Sequence, residues 1–189
     1  MTSVRLDCAD RKALREWFIE FSAHESECWV AVKRGNPSCV SLSYIDAVEE
    51  ALCFGWIDSI FRVEDGVTFQ RFSPRRKGSP WTELNKERVR RLEALGLMTD
   101  AGRKVLPAMG PRSFKIDPDV ESALKKGRAW TAFKRMPPLY QRVRAYNVAF
   151  LKKIDPQAYP AALERFVSET RRGRMVGQWN DYGRLDGNY

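Results

Sequence analysis

The feature that most constrains this chain is a predicted β-hairpin before its midpoint. Two stretches of alternating character, WIDSIFRV and VTFQRFS, lie on either side of the turn sequence Glu64-Asp65-Gly66. Alternation with a period of two is typical of strands, and a glycine-containing turn between two such stretches predicts a hairpin. Along the second strand, one face would carry Phe69, Arg71 and Ser73, and the other Thr68, Gln70 and Phe72. The fold must therefore contain a sheet with a face on which arginine lies beside aromatic surface.

The segment before the hairpin predicts two helices and a strand. Residues 10–24 place apolar side chains at three- and four-residue spacing after Asp10, a capping residue, which indicates an amphipathic helix. CWVAVKRG alternates, is rich in strand-forming residues and ends at the turn sequence Gly35-Asn36-Pro37. Ser43 begins a capping-box pattern, and the helix that follows it stops at Gly55. The strand CWVAVKRG thus lies between two predicted helices.

The chain beyond the hairpin is predominantly helical. Thr82 caps the segment TELNKERVRRLEALG, whose residues expected to be buried are Leu84, Val89, Leu92 and Leu95. Asp117-Pro118 starts another helix, and further helical segments follow it. We therefore predict an α+β fold, with helices packed on a small antiparallel sheet and followed by a helical C-terminal unit. The predicted divisions are an N-terminal unit of residues 1–110, a helical unit of residues 111–173 and a flexible tail of residues 174–189.

Positive charge is concentrated immediately after the hairpin. Residues 71–91 carry eight basic and two acidic side chains, whereas residues 1–70 carry seven basic and twelve acidic ones. Arginine pairs bidentately with phosphate or carboxylate and stacks on indole rings, so the pattern predicts a site for an anionic small molecule or polymer. The predicted ligand-binding residues are Trp56, Asp58, Arg71, Arg75, Arg76, Trp81, Asn85 and Arg88.

A structural interpretation of the same residues stays open. In it the aromatic side chains fill a small core, while the arginines pair with Asp58, Glu83 and Glu87. The segment 71–81 favours ligand binding, because it contains three arginines and a lysine but no acid to neutralise them.

The sequence contains no complete catalytic or metal-binding pattern. The four cysteines, Cys8, Cys28, Cys39 and Cys53, form no CxxC pair, and His24 is the single histidine. We therefore expect reduced, mostly buried thiols, no zinc site and no cofactor. GxSxG, HExxH and a glycine-rich phosphate loop are absent from the sequence. Whether the protein is an enzyme is left open, with Cys53 or Asp58 as the candidate reactive group.

The N-terminal sequence and the hydropathy pattern bear on location. No basic segment followed by an apolar run opens the chain, and no run of 18 uninterrupted apolar residues occurs in it. We expect no secretion signal, no membrane span and a cytoplasmic location.

Three segments of the chain resemble the YdeI/OmpD-associated, or bacteriocin-protection, family. They are LSYIDAVEEALCFGWIDS, QRFSPRRKGSPWTELNKERVRRLEALGLMTDAG and FKRMPPLYQRVRAYNVAFLKKI. The resemblance covers about residues 27–173, and DPQAYP stands where that family has a lysine-rich connection before an arginine-rich last helix. The resemblance implies a bacterial or archaeal protein connected with resistance to cationic antimicrobial peptides or bacteriocins, and with an outer-membrane porin as an envelope partner. It implies no reaction.

Three functions therefore remain open from the sequence. The one we favour is binding of an anionic ligand, in a protective or stress role, at the aromatic and arginine residues near the hairpin. Nucleic-acid binding is an alternative, because basic side chains contact phosphates and exposed aromatic rings stack on bases. A small-molecule enzyme that uses Cys53 or Asp58 is the third.

Overall fold

The computed structural model describes residues 4–35, 41–110, 112–186 and 189. Cys39 and the Asn36-Pro37 part of the predicted turn lie outside these residues. The described chain forms two compact units. The first takes its residues from 1–80 and 88–107 together with Tyr189, and the second from 81–87 and 108–186. The second unit thus includes residues 81–87 as well as most of the predicted tail.

The first unit combines strands and helices. Its elements are β1 (Val4–Leu6), α1 (Arg11–Phe21), β2 (Cys28–Ala31), α2 (Tyr44–Cys53), β3 (Trp56–Glu64), β4 (Val67–Pro74) and α4 (Asp100–Lys104). Helix α3 (Glu83–Ala94) begins in the second unit and continues into the first from Arg88.

The four strands form one sheet in the order β1-β2-β4-β3. Strands β2, β4 and β3 pair antiparallel, as predicted for the hairpin, and β1 adds a parallel strand beside β2 that the sequence pattern did not predict. Strand β1 is only three residues long, too short for a periodic signal. The predicted fold class, helices with a small sheet followed by a helical unit, is confirmed.

The helix starts of this unit follow the predicted capping residues. Asp10 Oδ1 accepts a hydrogen bond from the Ala13 amide at 2.9 Å, and Ser43 Oγ accepts one from the Asp46 amide at 3.0 Å. Helix α4 packs closely on the end of α2, because a Cβ on Gly102 would lie 2.3 Å from the Cys53 carbonyl oxygen. The core between helices and sheet contains Leu14, Phe18, Val30, Leu52, Trp56 and Phe72.

Helix α3 differs from the sequence prediction in which residues it buries. Val89 and Leu92 are buried as expected, but Leu95 is 48% exposed because the helix has ended at Ala94. The polar side chains of its first half are buried instead: Glu83, Asn85, Lys86, Glu87 and Arg88. Within the second unit Lys86 pairs with Glu83 at 2.7 Å and Arg142 pairs with Glu87 at 2.9 Å. Ion pairing explains how this charged helix start is accommodated.

The second unit is helical. Its helices are α5 (Pro118–Lys126), α6 (Trp130–Arg135), α7 (Pro138–Ile154) and α8 (Tyr159–Arg171). The predicted cap of α5 is confirmed, since Asp117 Oδ1 accepts hydrogen bonds from the Asp119 and Val120 amides. The core is formed by Val120, Leu124, Phe133, Tyr140, Ala145 and Phe166.

The segment after α8 is packed rather than loosely held, which corrects the prediction of a flexible tail for residues 174–186. The Val176 amide donates a hydrogen bond to the Tyr140 hydroxyl at 3.1 Å. The Trp179 ring lies edge-on to the Tyr140 ring, with centroids 5.7 Å apart. Leu185 is 1% exposed and packs with Leu139 and Val143. The sequence of this segment contains glycines and shows no periodicity, so it did not predict these contacts. Their partners lie some 40 positions earlier in the chain.

None of the helices in the described ranges combines the length and the apolar character that a bilayer crossing requires.

Candidate functional site

Trp56 belongs to the core of the first unit. It is 1% exposed, and its ring lies edge-on to the rings of Trp17 and Phe18, with centroid separations of 5.9 and 5.4 Å. A side chain enclosed in this way offers no ring surface to a ligand. Trp56 therefore follows the structural interpretation, in which the aromatic side chains fill a core.

Arg71 lies on the sheet face predicted for it, opposite Trp29 in the register of β2 and β4. Its charge is already paired: Nε and Nη2 both donate to Glu27 Oε2, and Nη1 donates to Ser59 Oγ at 3.2 Å. Glu27 is 44 residues away in the sequence. The segment around Arg71 contains no acid, so the sequence did not indicate that Arg71 would be paired.

The two arginines that follow the hairpin differ in exposure. Arg75 is 9% exposed, and its Nη1 donates to Ser79 Oγ at 3.1 Å and to the Pro80 carbonyl at 3.3 Å. Arg75 thus holds its own loop together. Arg76 is exposed, and it is the only exposed residue among the eight predicted site residues.

Asp58 accepts a hydrogen bond from the Tyr44 hydroxyl at 2.6 Å. Burial raises the pKa of Tyr44, and the neighbouring Asp58 charge raises it further, so the phenol stays protonated and keeps donating. The Arg34 guanidinium lies over the Tyr44 ring, 4.6 Å from its centroid, and over the Phe61 ring, 4.3 Å from its centroid. Asp58 therefore has a phenol partner rather than one of the predicted arginines, and it sits beside a stacked arginine that the sequence did not indicate.

The remaining predicted residues are divided between the units. Trp81 and Asn85 belong to the second unit and Arg88 to the first, and all three are buried. Five of the eight predicted residues are therefore buried, namely Trp56, Arg75, Trp81, Asn85 and Arg88.

A buried network of arginines and glutamates lies elsewhere in the first unit. Glu49 and Glu50, on α2, are 0% and 1% exposed. Glu50 accepts from Arg11 and Arg15, and Glu49 accepts from Arg11 and Arg91. Every carboxylate oxygen of the two residues contacts a guanidinium, so these charges compensate one another and removing one of them would leave its partners uncompensated.

Cys53, the candidate nucleophile, is unsuited to that role. It is fully buried, and burial, with a smaller contribution from Glu50, raises its pKa to about 12. A thiol with this pKa is protonated at neutral pH, whereas a cysteine nucleophile reacts as the thiolate. Within the described ranges, no three His, Cys, Asp or Glu side chains are grouped so as to hold a metal ion.

The second unit contains a pocket with a different composition. Its cavity volume is about 330 Å³, and it lies among α7, α8 and the segment that follows α8. Its polar side chains are Arg144, Asn147 and Arg165. Its apolar walls come from Val148, Leu151, Ala162, Phe166 and Val176. No acidic side chain lines it, so the pocket combines positive charge with an apolar interior.

Arg144 is the most unusual side chain at this pocket. Its Nε is buried without a hydrogen-bond partner, and burial lowers the pKa of its guanidinium, with the Arg165 charge acting in the same direction. The chain passes close to it at Gly177, where an added Cβ would lie 2.9 Å from Arg144 Nη1. Among the described residues, neither Arg144 nor Arg165 has a carboxylate within ion-pair distance. In the first unit, by contrast, Arg11, Arg15, Arg71 and Arg91 each pair with a glutamate.

The comparisons with known proteins bear on the first unit. A family model described as "Domain of unknown function (DUF8412)" matches residues 6–105. The chain belongs to this family. The match contains the hairpin, α1, α2, α3 and α4 but ends before the pocket of the second unit. No curated protein and no solved structure matches the chain. The resemblance to YdeI/OmpD-associated proteins stays an expectation beside this membership.

Sequence reasoning did not single out the pocket residues, although a signal for them exists. Arg144, Asn147, Val148 and Leu151 recur at spacings of three, one and three residues, which places them on one face of α7. A cation within an otherwise apolar helical face is a recognisable departure from amphipathic patterning. The surrounding density of basic residues in the second half of the chain concealed it.

Proposed function

We propose that this protein binds a small anionic molecule in the pocket of its second unit, with Arg144 and Arg165 as the anion-binding side chains. The observation that carries the proposal is that both guanidiniums line one pocket while no carboxylate in the described ranges lies within ion-pair distance of either. The kind of function is the one favoured from the sequence. The proposed position differs, because Arg71 and Arg75 near the hairpin are engaged within the protein and only Arg76 of the three is exposed.

The electrostatics of the pocket support an anion as the ligand. A half-buried guanidinium loses hydration, and an opposite charge or a set of acceptors is needed to compensate for that loss. Arg144 has lost part of its hydration, and the nearby Arg165 charge adds repulsion instead of compensation. A bound anion would relieve both costs at once, and it would form charge-assisted hydrogen bonds in a partly water-excluded site.

The pocket also has the size of a ligand site. Pockets for small molecules are concave, mostly apolar and carry a few polar groups that orient the ligand, with volumes of about 300–1,000 Å³. A volume of about 330 Å³ with three polar and five apolar side chains fits the lower end of that range. Asn147 supplies an amide that can donate to or accept from the ligand beside the two cations.

Thermal unfolding of the full chain tests the proposal. A ligand that binds the folded state stabilises it, by about 2.7 kcal/mol when its concentration is 100 times Kd. We expect at least one member of a panel of small carboxylates and phosphates to raise Tm. The increase should be lost in Arg144→Met and in Arg165→Met and kept in Arg135→Met, which removes an equal charge from an exposed position on α6. Equal loss in all three variants would show a general effect of net charge and would contradict the proposed site.

Nucleic-acid binding is retained as a second proposal because Arg76 and Lys77 are adjacent and exposed in the loop after β4. Two phosphate contacts would give a plot of log K against log salt concentration with a slope of about −1.8 for duplex DNA. Fluorescence anisotropy of labelled single- and double-stranded oligonucleotides at about 50 and 200 mM salt measures it. Loss of that salt dependence in a variant with Arg76→Ala and Lys77→Ala would support the proposal. Absence of binding at both salt concentrations would remove it.

The protective role against cationic peptides or bacteriocins, with a porin partner, is a proposal that rests on the resemblance of the three sequence segments. Survival of a bacterial host under a cationic peptide, with and without expression of the full chain, tests it. Equal survival of the two cultures would contradict it.

A further inference from the structure

The arrangement of side chains along the pocket bears on the chemical class of its ligand. Resting on the proposed function of the second unit, we infer that the ligand is an amphipathic carboxylate: one anionic head group attached to an apolar chain, of about ten non-hydrogen atoms in total.

Helix α7 provides the first observation. Of its four pocket residues, Arg144 and Asn147 come first, and Val148 and Leu151 follow toward the C-terminal end of the helix. With a rise of 1.5 Å per residue, Arg144 and Leu151 lie about 10 Å apart along the helix axis. The pocket wall formed by α7 is therefore polar at one end and apolar at the other.

Helix α8 has the matching order. Four residues, 155–158, join α7 to α8, so α8 turns back along α7 as in a helical hairpin. Ala162 is near the connection and therefore faces the Leu151 end, while Arg165 and Phe166 lie one turn further toward the Arg144 end. Both helices thus place their cations at the end of the pocket away from the connection.

The segment after α8 reinforces this polarity. Gly177 lies against the Arg144 guanidinium, and the Val176 amide is held by the Tyr140 hydroxyl. Val176 itself contributes an apolar wall. A ligand with its charge beside Arg144 and Arg165 would extend its remaining atoms toward Leu151 and Ala162, where it would meet only apolar surface.

The size and composition distinguish this ligand from a polyanion. The pocket wall formed by α7 is about 10 Å long between Arg144 and Leu151, which is the length of an extended carboxylate of about eight carbon atoms. A nucleotide is larger than this and carries several charges, whereas the pocket offers two cations at one end. Its one aromatic residue, Phe166, is 1% exposed and presents no ring face for a base. Octanoate, with ten non-hydrogen atoms, matches the length, and its carboxylate has one oxygen for each of the two guanidiniums.

Isothermal titration of the full chain with butanoate, hexanoate and octanoate tests the inference, with 1-octanol, inorganic phosphate and adenosine monophosphate as comparison probes. Each methylene group that becomes buried should tighten binding by about fourfold. We expect Arg144→Met to weaken octanoate binding by at least about tenfold, the loss typical of a charged hydrogen bond. Ala162→Leu, which fills the apolar end, should weaken octanoate much more than butanoate, and Arg135→Met should change neither.

Each other outcome has a separate meaning. If phosphate or the nucleotide binds with dependence on Arg144 while the carboxylates show no gain with chain length, the amphipathic inference is wrong and anion binding in the pocket stands. If 1-octanol binds as tightly as octanoate and Arg144→Met has no effect, both the inference and the proposed role of the arginines are wrong. If none of the six probes binds, both are likewise overturned. Should Ala162→Leu fail to fold, the chain-length series on the unmodified protein decides the question alone.

Discussion

The arginines paired with buried glutamates in the first unit and the pocket arginines of the second unit have opposite electrostatic situations. Arg11, Arg15 and Arg91 surround two glutamates whose oxygens all accept hydrogen bonds from them. Arg144 and Arg165 line a pocket that contains no acid. The same residue type therefore pairs with acids in one unit and lines a pocket without acids in the other. A segment rich in arginine does not by itself predict unpaired positive charge. Whether each arginine is paired depends on where the carboxylates lie in the folded structure.

The largest expected effect comes from removing one charge of the first unit's network. Glu50→Gln keeps the shape of the side chain but takes the anion away from Arg11 and Arg15. Breaking one side of a buried ion pair leaves the partners uncompensated, so we expect the free energy of unfolding to fall by about 3 kcal/mol. Urea denaturation measures it.

Glu93→Gln is the matched control for that experiment. Glu93 pairs with Arg103 at the surface, where the side chains are 37% and 45% exposed. An exposed pair contributes less than about 1 kcal/mol, so the control should change little. Similar losses in the two variants would contradict the proposed contrast between the units, since the network of the first unit would then contribute no more to stability than a surface pair.

A smaller effect is expected where the chain passes Arg144. Gly177 and Gly173 both have left-handed backbone conformations, with φ of +68° and +72°. Alanine at either position should lower the free energy of unfolding by about 1 kcal/mol or slightly more, because a Cβ disfavours that conformation. A methyl group at Gly177 also meets Arg144 Nη1, whereas one at Gly173 meets nothing within 4 Å.

The two alanine variants therefore separate backbone strain from the position of the guanidinium. Urea denaturation should give similar losses for both, while titration with octanoate should show weaker binding for Gly177→Ala alone. Unchanged affinity in Gly177→Ala would mean that the position of Arg144 does not matter for binding.

Arg144→Met tests whether an arginine of the second unit's pocket contributes to stability as the paired arginines of the first unit do. Methionine keeps the apolar stem and removes a half-buried cation that has no carboxylate partner in the described part of the chain. Replacing such a charge with an apolar group is neutral or favourable, so we expect the free energy of unfolding to rise by up to about 1 kcal/mol. The measurement is urea denaturation without ligand. A loss as large as that of Glu50→Gln would identify Arg144 as a structural residue like those of the first unit.

The smallest expected change in the free energy of unfolding concerns the ion pairs of Lys152 in the second unit. Lys152 contacts Asp117 and Asp119, each at 2.6 Å. Burial alone would raise the pKa of Asp117, but hydrogen bonds from Lys152 and from the Val120 and Asp119 amides lower it overall. A folded-state pKa below the unfolded value means that the stabilisation is complete above about pH 4 and is lost as the pH falls through the folded pKa.

Asp117→Asn tests this pH dependence, because asparagine also caps helices well and only the charge is removed. We expect a loss of about 0.5 kcal/mol at pH 7 that disappears at about pH 2, measured by urea denaturation at the two pH values. A loss of the same size at both pH values would point to the cap geometry rather than to the charge.

Much of the local architecture was predictable from the sequence. The hairpin, its two faces, and the caps at Asp10, Ser43 and Asp117 all appear in the structure. Strand β1 was not predicted, because three residues carry no periodicity and its pairing partner lies more than 20 residues away. Local signals succeeded where the interactions that determine an element are themselves local.

The sequence predicted the chemical class of the ligand, an anion, but placed the candidate site at different residues from those proposed from the structure. A basic protein with surplus arginines is evident from the composition, and it indicates anionic partners. The prediction placed them at the hairpin, where Glu27 neutralises Arg71 and where Trp56 is enclosed by other aromatic rings. The pocket residues Arg144 and Arg165 were passed over because their surroundings in the sequence are no less basic.

The hairpin, most of the helices, their caps and the α+β class could be predicted from the sequence, because side-chain periodicity and capping hydrogen bonds act over three or four residues. Only the tertiary structure decided which arginines are neutralised. Arg15 and Glu50 are 35 residues apart and Arg91 and Glu49 are 42 apart, so no local window contains such a pair. Whether a charge is compensated depends on contacts of this range, and the placement of Arg144 and Arg165 in a pocket lined by no acid follows from the folded arrangement alone.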